Sequence, residues 1–241
     1  MRMLNIAVIA KNFINLVYPL HCAACKSPLE ALDELRVCAS CIKKIRPNPL
    51  PWCKSCGRAL TNASDICAEC RKKRFSFERA YSAYTYEDAL KELIHQFKYR
   101  NRLSLAKILS NLMIDFVMDN TGVVDKIDLV TYVPLPNNRL RKRGFNQSKV
   151  LAAKLSERFG IALGDLLEKT RATRPQSELS RDRRLVNVKG AFRAKEPYPV
   201  NKRILLVDDV MTTGTTLDEC SRVLVDSGAK SVRCLTLARG A

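Results

Sequence analysis

Eight of the ten cysteines fall between residues 22 and 70, in four pairs with identical spacing: Cys22/Cys25, Cys38/Cys41, Cys53/Cys56 and Cys67/Cys70. Two intervening residues place both sulfurs of a pair on one tight knuckle, the geometry a tetrahedral cation selects. Segments this short cannot build a core from side chains alone, so metal binding must supply their folding energy. The pattern predicts two structural Zn²⁺ ions in closed Cys₄ sites, with no open position for catalysis. The simplest assignment is sequential, 22/25/38/41 and 53/56/67/70, although the spacing also allows interleaved ligation. His21 is a spare donor beside Cys22 that a full cysteine set makes unnecessary.

A disulfide framework is the competing reading of the same cysteines. It requires an oxidising compartment, and nothing near the N-terminus directs the chain to one. The apolar run "LNIAVIA" is too short to span a bilayer and lacks a small-residue cleavage site after it. A cytoplasmic chain without a transmembrane segment is therefore expected, with reduced thiols. The stretch Leu4 to Leu20 reads instead as a short helix, with Ile9, Phe13, Leu16, Val17 and Leu20 on one stripe packed against its own protein.

From about residue 80 the pattern changes. "AYSAYTY" (80–86) alternates like a strand, and the next helix places Leu90, Leu93, Ile94 and Phe97 on one face. A second helix carries Leu105, Ile108, Leu109, Leu112 and Phe116. "DLVTYVPLP" (128–136) is a strand halted by prolines, and Asn146 to Phe159 a helix ended by Gly160. "RILLVDD", a helix from Thr215 to Ser227 and "SVRCLTLA" complete the alternation, with Cys220 and Cys234 as buried apolar residues. Repeated strand–helix–strand units predict an α/β fold with a mainly parallel sheet flanked by helices. Residues 1–79 form the expected zinc-bearing head, and 80–241 the body.

Sites in such sheets lie beyond the carboxyl ends of the strands. Two strand ends carry unusual chemistry. "VPLPNNRLRKRGFNQS" (133–148) concentrates Arg139, Arg141, Lys142 and Arg143 before a helix start. "ILLVDDVMTTGTT" (204–216) runs from four aliphatics through Asp208 and Asp209 into Thr212, Thr213, Gly214, Thr215 and Thr216. Amides and hydroxyls turning at Gly214 into a helix suit a phosphate. It is not a Walker loop, for the Gly-Lys-Ser/Thr is missing. Two adjacent carboxylates would repel a bare phosphate, whereas ribose hydroxyls can donate to them and Mg²⁺ can bridge acid and phosphate oxygens. A phosphorylated, hydroxyl-bearing sugar fits both halves of the motif.

The formal net charge of +18 favours a polyanionic partner. Eight thiolates holding two Zn²⁺ remove four of those charges and leave the chain strongly basic. "RKKRF" (71–75) is the densest basic cluster of the head, suited either to nucleic-acid phosphates or to a solvated linker.

"ILLVDDVMTTGTT" resembles the phosphoribosyl-diphosphate (PRPP) loop of type I phosphoribosyltransferases. The chain as a whole resembles the ComF family, linked to competence for DNA transformation, whose members join a double zinc ribbon to such a domain. The four cysteine pairs, "HQFKYR" (95–100), "VPLPNNRLRKRGFNQS", "RATRPQSELSRDRRLVNVKGAF" (171–192) and the PRPP loop carry the resemblance. It implies that residues 212–216 cradle the 5′-phosphate and that Asp208 and Asp209 hold the ribose hydroxyls. One of the two acids would stabilise charge at C1′ as pyrophosphate leaves. "VPLP" is placed like the pyrophosphate loop, with Arg139 or Arg143 on the leaving group. Arg171, Gln176, Arg184 and Asn187 match the family pattern in a segment (171–193) placed like a flap. Three functions follow as expectations: transfer of ribose 5-phosphate from PRPP to an unknown acceptor; a nucleic-acid-binding factor in DNA uptake or processing, with single-stranded DNA as partner and PRPP as regulatory ligand; and a zinc-ribbon adaptor for a protein partner.

Overall fold

A computed structural model describes residues 20–29, 35–62, 64–99, 102–171 and 188–240. The helix expected over Leu4 to Leu20 lies outside them, Leu20 apart, as do Gln176, Arg184 and Asn187 of the expected flap.

The head repeats one module twice. In each, a knuckle turn leads to a five-residue helix: α1 (Ala39–Lys43) in the first ribbon and α2 (Ala68–Lys72) in the second. The repeat extends to individual atoms. Cys38 N–H donates to Cys22 Sγ at 3.4 Å, and Cys67 N–H to Cys53 Sγ at 3.3 Å. Lys26 and Gly57, each just after a knuckle, both adopt φ of 66°.

The body begins with β1 (Arg79–Thr85) and continues through α3 (Asp88–Tyr99), α4 (Ala106–Asp119), β2 (Leu129–Tyr132), α5 (Asn137–Arg143) and α6 (Gln147–Phe159). It continues with β3 (Leu167–Lys169), β4 (Phe192–Ala194), β5 (Arg203–Met211), α7 (Thr215–Asp226) and β6 (Ser231–Arg239). Four strands form a parallel sheet in the order β1–β6–β5–β2. β3 and β4 pair antiparallel as a separate hairpin-like unit that the sequence pattern did not suggest. Strand alternation sorts the central residues to two faces. Leu205 and Val207 join α3, α4, α6 and the first ribbon in one core; Ile204 and Leu206 join α7, β3, β4 and the second ribbon in the other. The apolar stripe Leu90, Leu93, Ile94 and Phe97 is fully buried, and so are Cys220 and Cys234.

The head also closes the open edge of the sheet. Thr85 N–H donates to Arg46 O at 3.0 Å, Asn48 N–H to Ala83 O at 2.9 Å and Ala80 N–H to Ser55 O at 2.8 Å. An exposed strand edge would invite pairing with another chain, and this cover removes it. At Gly57 the second knuckle approaches β1 so closely that a Cβ would sit 2.5 Å from Ala80 O, in a left-handed conformation that already favours glycine. Gly57→Ala is expected to cost about 1–3 kcal/mol in chemical denaturation. A loss below ~0.5 kcal/mol would show that the knuckle is free to shift.

Residues 137–143, to which the sequence pattern assigned no element, form a helix: Pro136 opens it with φ −66°, and Gly144 closes it at φ 77°. β5 runs two residues beyond the expected strand, to Met211.

Candidate ligand site and metal centres

The four sulfurs of Cys22, Cys25, Cys38 and Cys41 lie within 4.8 Å of one another, and those of Cys53, Cys56, Cys67 and Cys70 likewise. Ligation is therefore sequential. A Zn–S bond of about 2.3 Å puts tetrahedral sulfurs about 3.8 Å apart. Cys25 Sγ and Cys38 Sγ are 3.7 Å apart, and Cys56 Sγ and Cys67 Sγ 3.8 Å. Both sets fit Zn²⁺, and His21 belongs to neither.

The carboxyl end of β5 gathers the second constellation. Asp208 and Asp209 are both buried. Ser148 Oγ donates to Asp208 Oδ1 at 2.7 Å, as does the Asp209 N–H at 2.9 Å. Ser148 is held there by the start of α6, where Asn146 Oδ1 accepts from the Ser148 and Lys149 amides and Asn146 Nδ2 donates to Val133 O. Burial first, and then the charge of Asp209, push the Asp208 carboxyl up to about 7. Asp209 Oδ2 pairs with the ammonium of Lys98 from the last turn of α3. Burial pulls that ammonium down, yet Asp209 and then Asp208 carry it above the ordinary lysine value.

The turn 212–216 follows the acids. Gly214 takes φ 76° at the N-cap of α7 and offers the first turn no side chain of its own. Thr213 and Thr215 hydroxyls lie 2.9 Å apart. A Cβ at Gly214 would meet Met211 Cε at 2.6 Å and Phe75 Cε1 at 3.3 Å. The segment after the second ribbon thus packs on the loop. Its Ser76 N–H and Lys73 Nζ both reach Asp218 in the first turn of α7, each at 2.8 Å. Lys73 is accordingly engaged within the chain, whereas Arg71, Lys72 and Arg74 of the same basic cluster are exposed. From the other side Arg239, at the end of β6, donates to Cys56 O at 3.3 Å.

The basic residues of α5 divide. Arg143 is buried, donates to Gln147 Oε1 at 2.5 Å and lies 5.0 Å over the Tyr99 ring, with Asp209 the main charge favouring its cationic form. Arg139 is half-buried, and Arg141 and Lys142 are exposed. Lys169, at the end of β3, was not anticipated. Burial, then Arg139, bring its ammonium down to about 8 while Cys220 and Asp208 oppose them.

Comparison with known proteins matches residues 13–73 to the double zinc ribbon domain and residues 146–241 to the phosphoribosyl transferase domain. The chain is 34% identical over 227 residues to the DNA utilization protein YhgH of Escherichia coli K12, covering 93% of this chain and 99% of that one. It is 31% identical over 234 residues to competence protein F of Haemophilus influenzae, covering 95% and 99%. The chain belongs to the ComF family. The streptococcal member, competence protein ComFC of Streptococcus pneumoniae R6, is 29% identical over 218 residues, covering 90% of this chain and 87% of that one. The ComF chain therefore carries a type I phosphoribosyltransferase fold with an N-terminal double zinc ribbon. No described helix is long and apolar enough to cross a membrane.

Two of the residues that sequence reasoning passed over, Lys98 and Ser148, lie in stretches that carry the family likeness, "HQFKYR" and "FNQS". Lys169 had no such signal.

The raised Asp208 value has a stability consequence with a definite sign. The folded carboxyl titrates above the unfolded one, so its destabilising contribution grows as pH rises from about 4 to about 7 and is constant above. Asp208→Asn, which keeps the acceptor for Ser148, is expected to stabilise the protein by roughly 1–3 kcal/mol at pH 8, and progressively less at lower pH. Thermal unfolding across pH 5–8 checks this; an unchanged or lowered midpoint at pH 8 would contradict it.

Zinc is expected at two per chain by metal analysis. Cys53→Ser should lower that to about one and, because this ribbon packs in the core that holds α7, lower the thermal midpoint as well.

Proposed function

We propose that this ComF protein binds PRPP at the carboxyl end of β5 and transfers its ribose 5-phosphate to an acceptor. One observation carries the reading: two buried neighbouring carboxylates stand a few residues before a helix N-terminus turned at a left-handed glycine. The 5′-phosphate would lie against residues Thr212, Thr213, Gly214, Thr215 and Thr216, where backbone N–H groups at the helix start and the helix dipole favour an anion. Asp208 and Asp209 would accept the ribose hydroxyls. Arg143, with Arg139 beside it, would face the diphosphate.

The chemistry is a displacement at C1′. The acceptor's lone pair forms the new bond as the C1′–O bond to diphosphate breaks, and that electron pair leaves with the diphosphate. The proton lost by the acceptor passes to solvent. Positive charge gathers on the sugar ring in between, and a carboxylate held beside it lowers the barrier. Asp208 and Asp209 alone do not form a cage for a resident divalent ion, since Lys98 pairs with Asp209. They do fit the common arrangement in which one or two carboxylates meet a Mg²⁺ already carried by phosphates. Mg²⁺ would supply charge neutralisation on the diphosphate oxygens.

Relatives named for competence and DNA utilization support a role in DNA uptake or processing. The exposed Arg141 and Lys142 and the exposed Arg71, Lys72 and Arg74 favour a second reading, contact with single-stranded DNA phosphates. In that reading PRPP is a regulatory ligand and the ribbons engage a DNA-handling protein. We take residues 1–79 and 80–241 as the two units of the chain, in the cytoplasm, where thiols stay reduced.

Calorimetric titration with PRPP and Mg²⁺ tests the binding. Wild type is expected to bind in the micromolar range, and Asp208→Asn/Asp209→Asn at least ~100-fold more weakly, as for loss of charged hydrogen-bond acceptors. Equal affinities would remove the acids from the site. Pyrophosphate release in the presence of single-stranded DNA or free bases then separates turnover from binding.

A further inference from the structure

Of "HQFKYR", the packing of the core accounts for Phe97 but not for Lys98. A lysine in the last turn of a helix ordinarily points to water, where it complements the helix dipole at no desolvation cost. Lys98 instead turns inward. Its side chain is 18% exposed, and it meets an Asp209 side chain that is 5% exposed. Among the described residues, no hydrogen-bond partner other than this ion pair serves Asp209 Oδ2. A buried ion pair is weak support for a fold, since apolar residues of similar volume often serve as well. A lysine held against a ligand-site acid therefore calls for a different account.

Three contacts fix the last turns of α3 so that this lysine arrives where it does. Gln96 Nε2 donates to Ala23 O in the first zinc knuckle. The Phe97 ring lies 5.0 Å from the Phe145 ring. The Tyr99 ring lies 5.0 Å beneath the Arg143 guanidinium, with the His95 ring 4.9 Å away on the same helix. Lys98 is thus flanked by residues anchored to the first ribbon, to the "RGFNQS" stretch and to the basic helix α5.

We propose that Lys98 is a built-in cation of the PRPP site: it holds the Asp209 carboxylate in place as a hydroxyl acceptor and offsets the repulsion between the acid pair and the phosphates of the incoming ligand. This rests on the PRPP reading above. Lys98 acts through Asp209 and is a positioning residue. Two negative groups side by side, facing a ligand that carries more negative charge, need positive charge nearby. In this site part of it comes from the chain, and divalent metal has less to supply. The charged and titratable groups that face the pair are Asp208 from β5, Tyr99 from α3, Tyr86 before that helix, Arg143 from α5 and Lys169 from β3, with the Ser148 hydroxyl from α6. Of these, Lys98 alone makes an ion pair with Asp209 among the described residues.

The experiment is PRPP titration of the full-length zinc-loaded chain, in excess Mg²⁺ and in its absence, for wild type, Lys98→Met and Lys98→Arg. Lys98→Met is expected to weaken metal-free binding by ~10-fold or more, and Mg²⁺-supported binding by less than ~3-fold. Lys98→Arg should restore most of the metal-free affinity. If Lys98→Met keeps the wild-type ratio of affinities with and without Mg²⁺, by losing nothing or by losing equally in both conditions, the lysine is a packing element and the proposal fails, whatever happens to thermal stability. Lys98→Gln is read the same way should Lys98→Met not fold. Failure of wild type to bind PRPP under any condition would overturn the reading of the site itself, and that result is visible without any variant.

Discussion

Two neighbouring carboxylates buried at one strand end set the terms for everything around them. Neither can be desolvated alone, and each raises the cost of the other. The fold meets that demand from three sides. Ser148 donates from the capped start of α6, Lys98 pairs from the last turn of α3, and Arg143 lies close by from α5. Even so, burial and the Asp209 charge push the Asp208 carboxyl up to about 7.

The zinc ribbons belong to the same account. Each ribbon shares a core with one face of the sheet, and each reaches one half of the ligand site. Through Gln96 the first ribbon holds the helix that carries Lys98. Through the Lys73–Ser76 segment the second holds Asp218 in the first turn of α7 and lays Phe75 beside Gly214. Arg239 ties the end of β6 back to Cys56. The zinc ribbons therefore organise the residues that flank the two acids and the turn 212–216.

Much of this was legible in the residues. Cysteine spacing announced two four-sulfur sites, since nothing else requires four identical knuckles, although only the folded chain separates sequential from interleaved ligation. The parallel sheet followed from alternating apolar periodicities. The helix 137–143 was hidden because its run of like charges carries no apolar periodicity. Lys98 was hidden for a different reason. Leu90, Leu93, Ile94 and Phe97 explain α3 completely as an amphipathic helix, and the stripe assigns a lysine beside it to solvent. What turns it inward is the contact of Phe97 with Phe145, a pairing across nearly fifty residues that no local pattern encodes. The three-residue strands β3 and β4 likewise depend on partners distant in sequence.

The most direct test of the central claim is a crystal structure of the zinc-loaded chain with PRPP and Mg²⁺. The account predicts the 5′-phosphate against the backbone of 212–216, both ribose hydroxyls on Asp208 and Asp209, and the diphosphate toward Arg143. Ligand density elsewhere, or a sugar that leaves both acids untouched, would contradict it.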